Sequence, residues 1–174
     1  RNNAALLAAN AELERLATTD PLTGLLNRRA LQQRAEISLS CTKRYGTPYS
    51  VILFDLDHFK SINDEMGHEA GDTVLRAVSQ RVLGALRDSD TLARWGGEEF
   101  LVLATQSGAE ETSQLAERLR QLLAAEPVGS VGSITASFGV AGSQDGETLE
   151  QIIQKADMAM YTAKQQGRNQ VVCA

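Results

Sequence analysis

Asp55 closes the apolar run Val51-Ile52-Leu53-Phe54, and Glu98 sits in the acidic tip Gly96-Gly97-Glu98-Glu99. A carboxylate that follows four apolar residues is costly to hold near a core unless it is paired or binds a cation. If these segments are neighbouring strands of one sheet, Asp55 and Glu98 meet outside the strand ends, where ligands of strand–helix sheets collect. Two carboxylates with open positions suit Mg²⁺ carrying a polyphosphate, because Mg²⁺ keeps few protein ligands and shares substrate oxygens. A helix cap at Asp55 and a solvated turn at Glu98-Glu99 are the plainer roles for the same residues. Lys164 and Arg168 stand i,i+4 near the end of a helix, which puts both cations on one face. They suit phosphate, or simply the negative end of the helix dipole. Asn63 and Asp72 flank a turn at 67–71 where a purine edge can be read, with Asp72 otherwise a plain N-cap.

Several other chemistries are excluded. There is no G-x-x-x-x-G-K-[ST], no G-x-G-x-x-G after a strand and no G-x-S-x-G elbow. The segment from Asp55 has Lys60 and Met66 where a calcium loop needs Gly and Glu. His58 and His68 lack a Cys or His partner at zinc spacing. Cys41 and Cys173 are too few for a disulfide framework, so a reducing, cytoplasmic setting is expected, whether for a free domain or the cytoplasmic part of a membrane-anchored protein. With 17 Lys+Arg against 22 Asp+Glu the net charge is −5, which argues against a nucleic-acid polymer as partner but not against a small anion.

The elements that must position these residues follow from periodicity. The 174 residues, 43% hydrophobic and 22% charged, make one ordinary globular domain. No apolar stretch approaches the roughly 20 residues of a membrane helix. The chain opens on Arg1 and reads as a piece of something longer, its upstream sensor or transmembrane region missing. Residues 1–18 read as an N-terminal helix, 19–174 as the domain proper. Leu6, Ala9, Leu13 and Leu16 form a short heptad seam, either packing on the domain or ending a coiled-coil linker. Helices are expected over 28–44, 58–66, 72–86, 108–125 and 148–166. Strands are expected over 50–55, 91–95, 100–104, 134–141 and 170–173. This is an α/β (α+β) sandwich with a five-stranded mixed sheet, close to a ferredoxin-like core with additions.

Five ordered blocks together resemble the GGDEF family of diguanylate cyclases, from about Leu16 to Val172. They are the opening Asp20-Pro21-Leu22-Thr23-Gly24-Leu25-Leu26-Asn27-Arg28-Arg29, the stretch FDLDHFKSINDEMGHEAGD at 54–72, and Arg94-Trp95-Gly96-Gly97-Glu98-Glu99-Phe100. The closing pair is Ala156-Asp157-Met158-Ala159-Met160-Tyr161 and Gly167-Arg168-Asn169. The resemblance implies a palm-like sheet, as in nucleotidyl cyclases and polymerases. It also implies that two domains face each other as a homodimer, joining two GTP into cyclic di-GMP with release of pyrophosphate. Asp55, Glu98 and the Leu56 carbonyl would hold Mg²⁺ (or Mn²⁺), with Glu99 as base for the 3′-hydroxyl. Backbone amides from Asp57 through Phe59 to Lys60, with Lys164 and Arg168, would hold phosphates. Gly96 and Gly97 would admit substrate close to the backbone. Asn63 and Asp72 would read guanine. Arg87-Asp88-Ser89-Asp90 is similar to the family's R-x-x-D inhibitory site, where Arg87, Asp90 and a supporting Arg118 would bind product. A catalytically silent nucleotide-binding module and a plain interaction domain are the alternatives; the intact Asp55, Glu98, Glu99, Lys164 and Arg168 argue against silence.

Overall fold

The computed structural model describes residues 2–174, without the side chain of Cys41; the expectations at Arg1 and Cys41 lie outside the described residues. In chain order the first elements are helix α1 (Asn2–Thr18), strand β1 (Leu26–Asn27), α2 (Arg28–Tyr45), β2 (Tyr49–Leu56), α3 (Phe59–Met66) and α4 (His68–Ala85). There follow β3 (Asp90–Arg94), β4 (Glu99–Thr105), α5 (Ala109–Ala125), β5 (Ala136–Gly142), α6 (Leu149–Gln165) and β6 (Val171–Cys173).

The apolar run becomes the central strand β2, all eight residues of which are buried. Buried on both faces, it needs no hydrophobic–polar alternation. The sheet order is β1-β3-β4-β2-β5-β6, with β2 antiparallel to both β4 and β5. The inner strands β3-β4-β2-β5, with α3–α4 and α5 as crossovers, form a ferredoxin-like βαββαβ core. The sheet has six strands, not the expected five. The addition is β1, two residues parallel to β3, too short to leave a periodic signal.

Alternation along β2 and β4 divides the core. Ile52, Phe54, Leu56, Phe100 and Val102 face α4 and α5, while Val51, Leu53, Leu101 and Leu103 face α2 and α6. Phe54 stacks between Phe100 (5.1 Å) and Phe138 (4.8 Å), one residue before Asp55. Such pairs add about 0.5–1.5 kcal/mol beyond their burial, so the strand end carrying Asp55 stands on a stiff base. On the other face α6 is set by a Thr148–Gln151 capping box. It approaches β5 so closely that a Cβ at Gly139 would strike the backbone of Ala156 and Met160.

Helix α1 behaves differently. None of its residues is buried, and Leu6, Leu13 and Leu16 are 60%, 63% and 54% exposed. The seam therefore does not pack on its own domain. Among the described residues, no helix is long and apolar enough to cross a membrane.

Candidate active site

Strand pairing brings the acidic residues together as expected. Asp55 stands directly opposite Glu99, and the Leu56 N–H donates to the Glu98 carbonyl at 3.2 Å. Asp55 is 5% exposed; Lys164 Nζ reaches its Oδ2 at 3.0 Å, while its Oδ1 is buried with no hydrogen-bond partner. Asp55 is thus no helix cap. Burial and the neighbouring Asp55 carboxylate push the Glu98 carboxyl up to about 7. Glu99 is raised too, first by burial, then by Asp55 and Asp157, against the pull of Lys164 and Arg28.

Three crowded carboxyls, one with an orphaned buried oxygen, are what a bound cation relieves. Among the described residues no three His, Cys, Asp or Glu side chains converge to hold an ion unaided. Asp55, with its orphaned oxygen, and Glu98 fit a divalent cation that completes its shell with other oxygens. One prediction follows from the sign of the Glu98 shift. Below pH 7 a cation must displace its proton, so affinity for Mn²⁺ should fall by up to about tenfold per pH unit and level off above 7. Calorimetric titrations at pH 5.5, 6.5 and 8 test this; a flat profile removes Glu98 from the ligand set.

The acidic pair opens onto two different spaces. Phe59, Lys60, Asn63, Asp72, Gly97 and Glu98 line one cleft of about 400 Å³. Glu99 lies instead on a hollow of about 970 Å³ beside α6, with Asp157 and Lys164. Glu98 sits in the bend at the hairpin tip whereas Glu99 is the first residue of β4, and this change of backbone direction separates them.

The expected turn at 67–71 is instead the start of a helix. Gly67 (φ 90°) ends α3, and α4 begins at once with His68, four residues before the expected start. Asp72 is therefore not an N-cap but lies in the second turn of α4, where it lines the same cleft as Asn63. Gly71 makes this possible: a Cβ there would land on Asn63 Oδ1 and lie 3.1 Å from Phe59 Cζ. Gly96 and Gly97 both lack a positive φ; a Cβ on Gly96 would meet Glu99, whereas one on Gly97 would meet nothing.

The phosphate-type groups are also rearranged. Helix α3 has no side-chain cap, so no side chain covers the first-turn amides of Phe59 and Lys60. The Asp57 amide is not among them, because it donates to the Thr135 carbonyl at 2.9 Å. Lys164 and Arg168 do not share a helix face: α6 ends at Gln165, and Arg168 lies in the following turn with φ 65°. At the opposite end of the β3–β4 pair, Asp90 accepts from Arg87 N (3.0 Å) and Nη2 (3.3 Å), and Arg87 Nη2 also donates to Ser107 Oγ at 2.6 Å. Arg118 is exposed on α5 and makes no hydrogen bond or ion pair with either.

The family described as "Diguanylate cyclase, GGDEF domain" matches residues 17–170. The chain belongs to the GGDEF family. It is 44% identical over 161 residues to diguanylate cyclase DgcP of Pseudomonas aeruginosa, covering 91% of this chain and 24% of DgcP. It is 41% identical over 165 residues to the cyclic di-GMP phosphodiesterase NbdA of the same organism, covering 92% of this chain and 21% of NbdA. The chain thus spans a quarter or less of these curated relatives. Among solved structures it superposes on the GGDEF domain of DgcB from Caulobacter crescentus in complex with c-di-GMP. There the TM-score is 0.86 and the identity 33%, over 90% of this chain and 95% of that one.

Three features of this GGDEF domain escaped the sequence reading. His68, Leu75 and Arg94 also line the smaller cleft. Arg94 joins the hairpin to the opening motif: Nη1 meets Asp20 Oδ1 at 3.1 Å, and Nη2 donates to the Gly97 carbonyl at 2.7 Å. Asp57 is buried among three donors, from Thr135, Ser137 and Asn169. The quoted motifs contain most of these residues, but nothing in their spacing tells which will touch.

Proposed function

We propose that this GGDEF domain is a diguanylate cyclase that joins two GTP into cyclic di-GMP and releases two pyrophosphates. The observation that carries the reading is the Asp55 Oδ1 orphan beside a Glu98 carboxyl held near 7, on the rim of a cleft lined by Asn63 and Asp72. Asn63 and Asp72 read guanine: a carboxylate accepts from its N1–H and exocyclic amine, whereas adenine offers an acceptor at N1. The free amides at the start of α3, with Lys60, Lys164 and Arg168, hold the phosphates. Mg²⁺ or Mn²⁺ on Asp55, Glu98 and the Leu56 carbonyl would neutralise phosphate charge there. Glu99, its carboxylate made more basic by burial and by Asp55, takes the proton of the attacking 3′-hydroxyl. The 3′-oxygen bonds to the α-phosphorus as the bond to the β-phosphate breaks.

One domain holds one GTP, so the reading requires a homodimer. The exposed seam of α1 supports residues 1–18 as the end of a linker that pairs with a second copy, leaving 19–174 as the cyclase domain. GTP as substrate implies that this work is done in the cytoplasm. Incubation with GTP and Mg²⁺ followed by chromatographic assay for cyclic di-GMP tests the reading; no product from a folded, concentrated sample overturns it.

Gly71→Ala probes the guanine assignment. Ala is the better helix former, so the melting temperature should hold or rise, while displacement of Asn63 should weaken GTP binding by about tenfold. Unchanged affinity would release Asn63 from this role. At the far end of β3, Arg87 and Asp90 form the inhibitory site for product, with Arg118 as support. Arg87→Ala should keep progress curves linear longer and weaken cyclic di-GMP binding. Inhibition equal to that of the parent would leave the R-x-x-D as a structural tie only.

A further inference from the structure

Asp57 stands two residues after Asp55, which invites a second metal carboxylate. Its surroundings give it another task. Its Oδ1 accepts from Ser137 Oγ at 2.6 Å, and its Oδ2 accepts from Thr135 Oγ1 at 2.7 Å and from the Asn169 amide at 3.0 Å. At 6% exposure, with three donors on about four acceptor positions, the carboxylate has little left for an ion.

The Asn169 contact matters most. Arg168 and Asn169 both have left-handed backbone, φ 65° and 46°, which non-glycine residues keep only when their surroundings over-determine it. The turn is held at three points. Arg168 N donates to the Ala163 carbonyl at 3.0 Å, Arg120 Nη1 donates to Asn169 Oδ1 at 3.0 Å, and Asp57 receives the Asn169 amide. Asp57 is also the residue from which the chain turns, through His58 at φ 57°, into the open N-terminus of α3. One buried carboxylate therefore ties the turn that carries Arg168 to the amides at the start of α3.

We propose that Asp57 is a positioning residue that holds Arg168 against the N-terminus of α3, setting how tightly the triphosphate of the nucleotide is gripped. The inference rests on the reading of Arg168 as a phosphate ligand. Asp57→Asn keeps the shape but replaces one acceptor oxygen with an amide group. The new amide can turn its NH2 to Ser137 Oγ and keep its oxygen on the Asn169 N–H, but that bond loses its charge assistance and the tie weakens.

The test compares calorimetric binding of GMP with that of a GTP analogue whose α–β bridging oxygen is a methylene, so that no turnover occurs. Asp57→Asn should weaken the triphosphate about tenfold and leave GMP unchanged. In an Arg168→Ala background the same substitution should cost nothing more. Equal losses for both nucleotides, or full additivity with Arg168→Ala, overturn the proposal and make Asp57 a plain structural residue. If Arg168→Ala itself leaves triphosphate affinity intact, the phosphate reading falls and this inference with it. Should Asp57→Asn fail to fold by circular dichroism, Arg120→Ala loosens the same turn from outside the sheet. It should weaken the triphosphate about threefold and not GMP; no change there also overturns the proposal.

Discussion

Asp55→Asn and Glu98→Gln are each expected to lower cyclic di-GMP synthesis by on the order of a thousandfold or more, with the fold intact. A neutral amide offers no anionic ligand beneath two triphosphates. Asp55→Asn also leaves Lys164 facing an uncharged group. The two variants should differ in stability. The Glu98 carboxyl is raised from 4.5 to about 7 in the folded state, so folding becomes harder as pH climbs through that range, and the full penalty is present above 7. Glu98 is only half-buried, and solvent screening reduces the penalty to about 1 kcal/mol. In metal-free buffer at pH 8, Glu98→Gln should therefore melt about 3 °C above the parent, and at pH 4 the two should coincide. Stability sacrificed for an acidic cluster is the signature of a site kept for its chemistry. Near-parental synthesis by either variant overturns the cation assignment, and a Glu98→Gln protein that melts like the parent at pH 8 overturns the electrostatic account of the cluster.

The second large effect concerns assembly. The cleft that joins Asn63 and Asp72 to Glu98 does not include Glu99, which lines the hollow beside α6 instead. If Glu99 is the base, as proposed, it serves a nucleotide brought from outside by a second domain. Specific activity should then fall about tenfold for each tenfold dilution below the dimer dissociation constant, because the active species scales with the square of concentration. Paired substitution of Leu13 and Leu16 by Glu should extend that regime to higher concentration, since these leucines, more than half exposed, have no partner within their own domain. Specific activity that stays constant down to a monomer demonstrated by sedimentation would refute the two-domain mechanism.

Much of this molecule was legible in its residues, for local reasons. The run ending at Asp55 is a strand because four consecutive apolar residues demand burial on both faces. The neighbouring hairpin delivers Glu98 because a glycine pair between two short strands has few other uses. Helix ends written in local chemistry were close: α1 stops before Asp20-Pro21, and Thr148 caps α6 through Gln151. Errors came where a boundary rested on tertiary contact. Helix α4 starts early because Gly71 lets it lie against Asn63, and Arg168 leaves its helix because the turn after α6 is tied to Asp57 and to Arg120 on α5. The decisive contacts link residues far apart in the chain: Arg94 to Asp20 across 74 positions, Thr135 to Asp57 across 78, and Asn169 to Asp57 across 112. Periodicity reports which side of an element is apolar, and so fixes what must be buried. It carries no information on which polar groups meet once the sheet closes, because that depends on register and on the meeting of elements remote in sequence. The sequence by itself determined the family, the sheet and the acidic pair; only the tertiary structure decided that Asp57 is a tie rather than a ligand, and that Glu98 and Glu99 face different spaces.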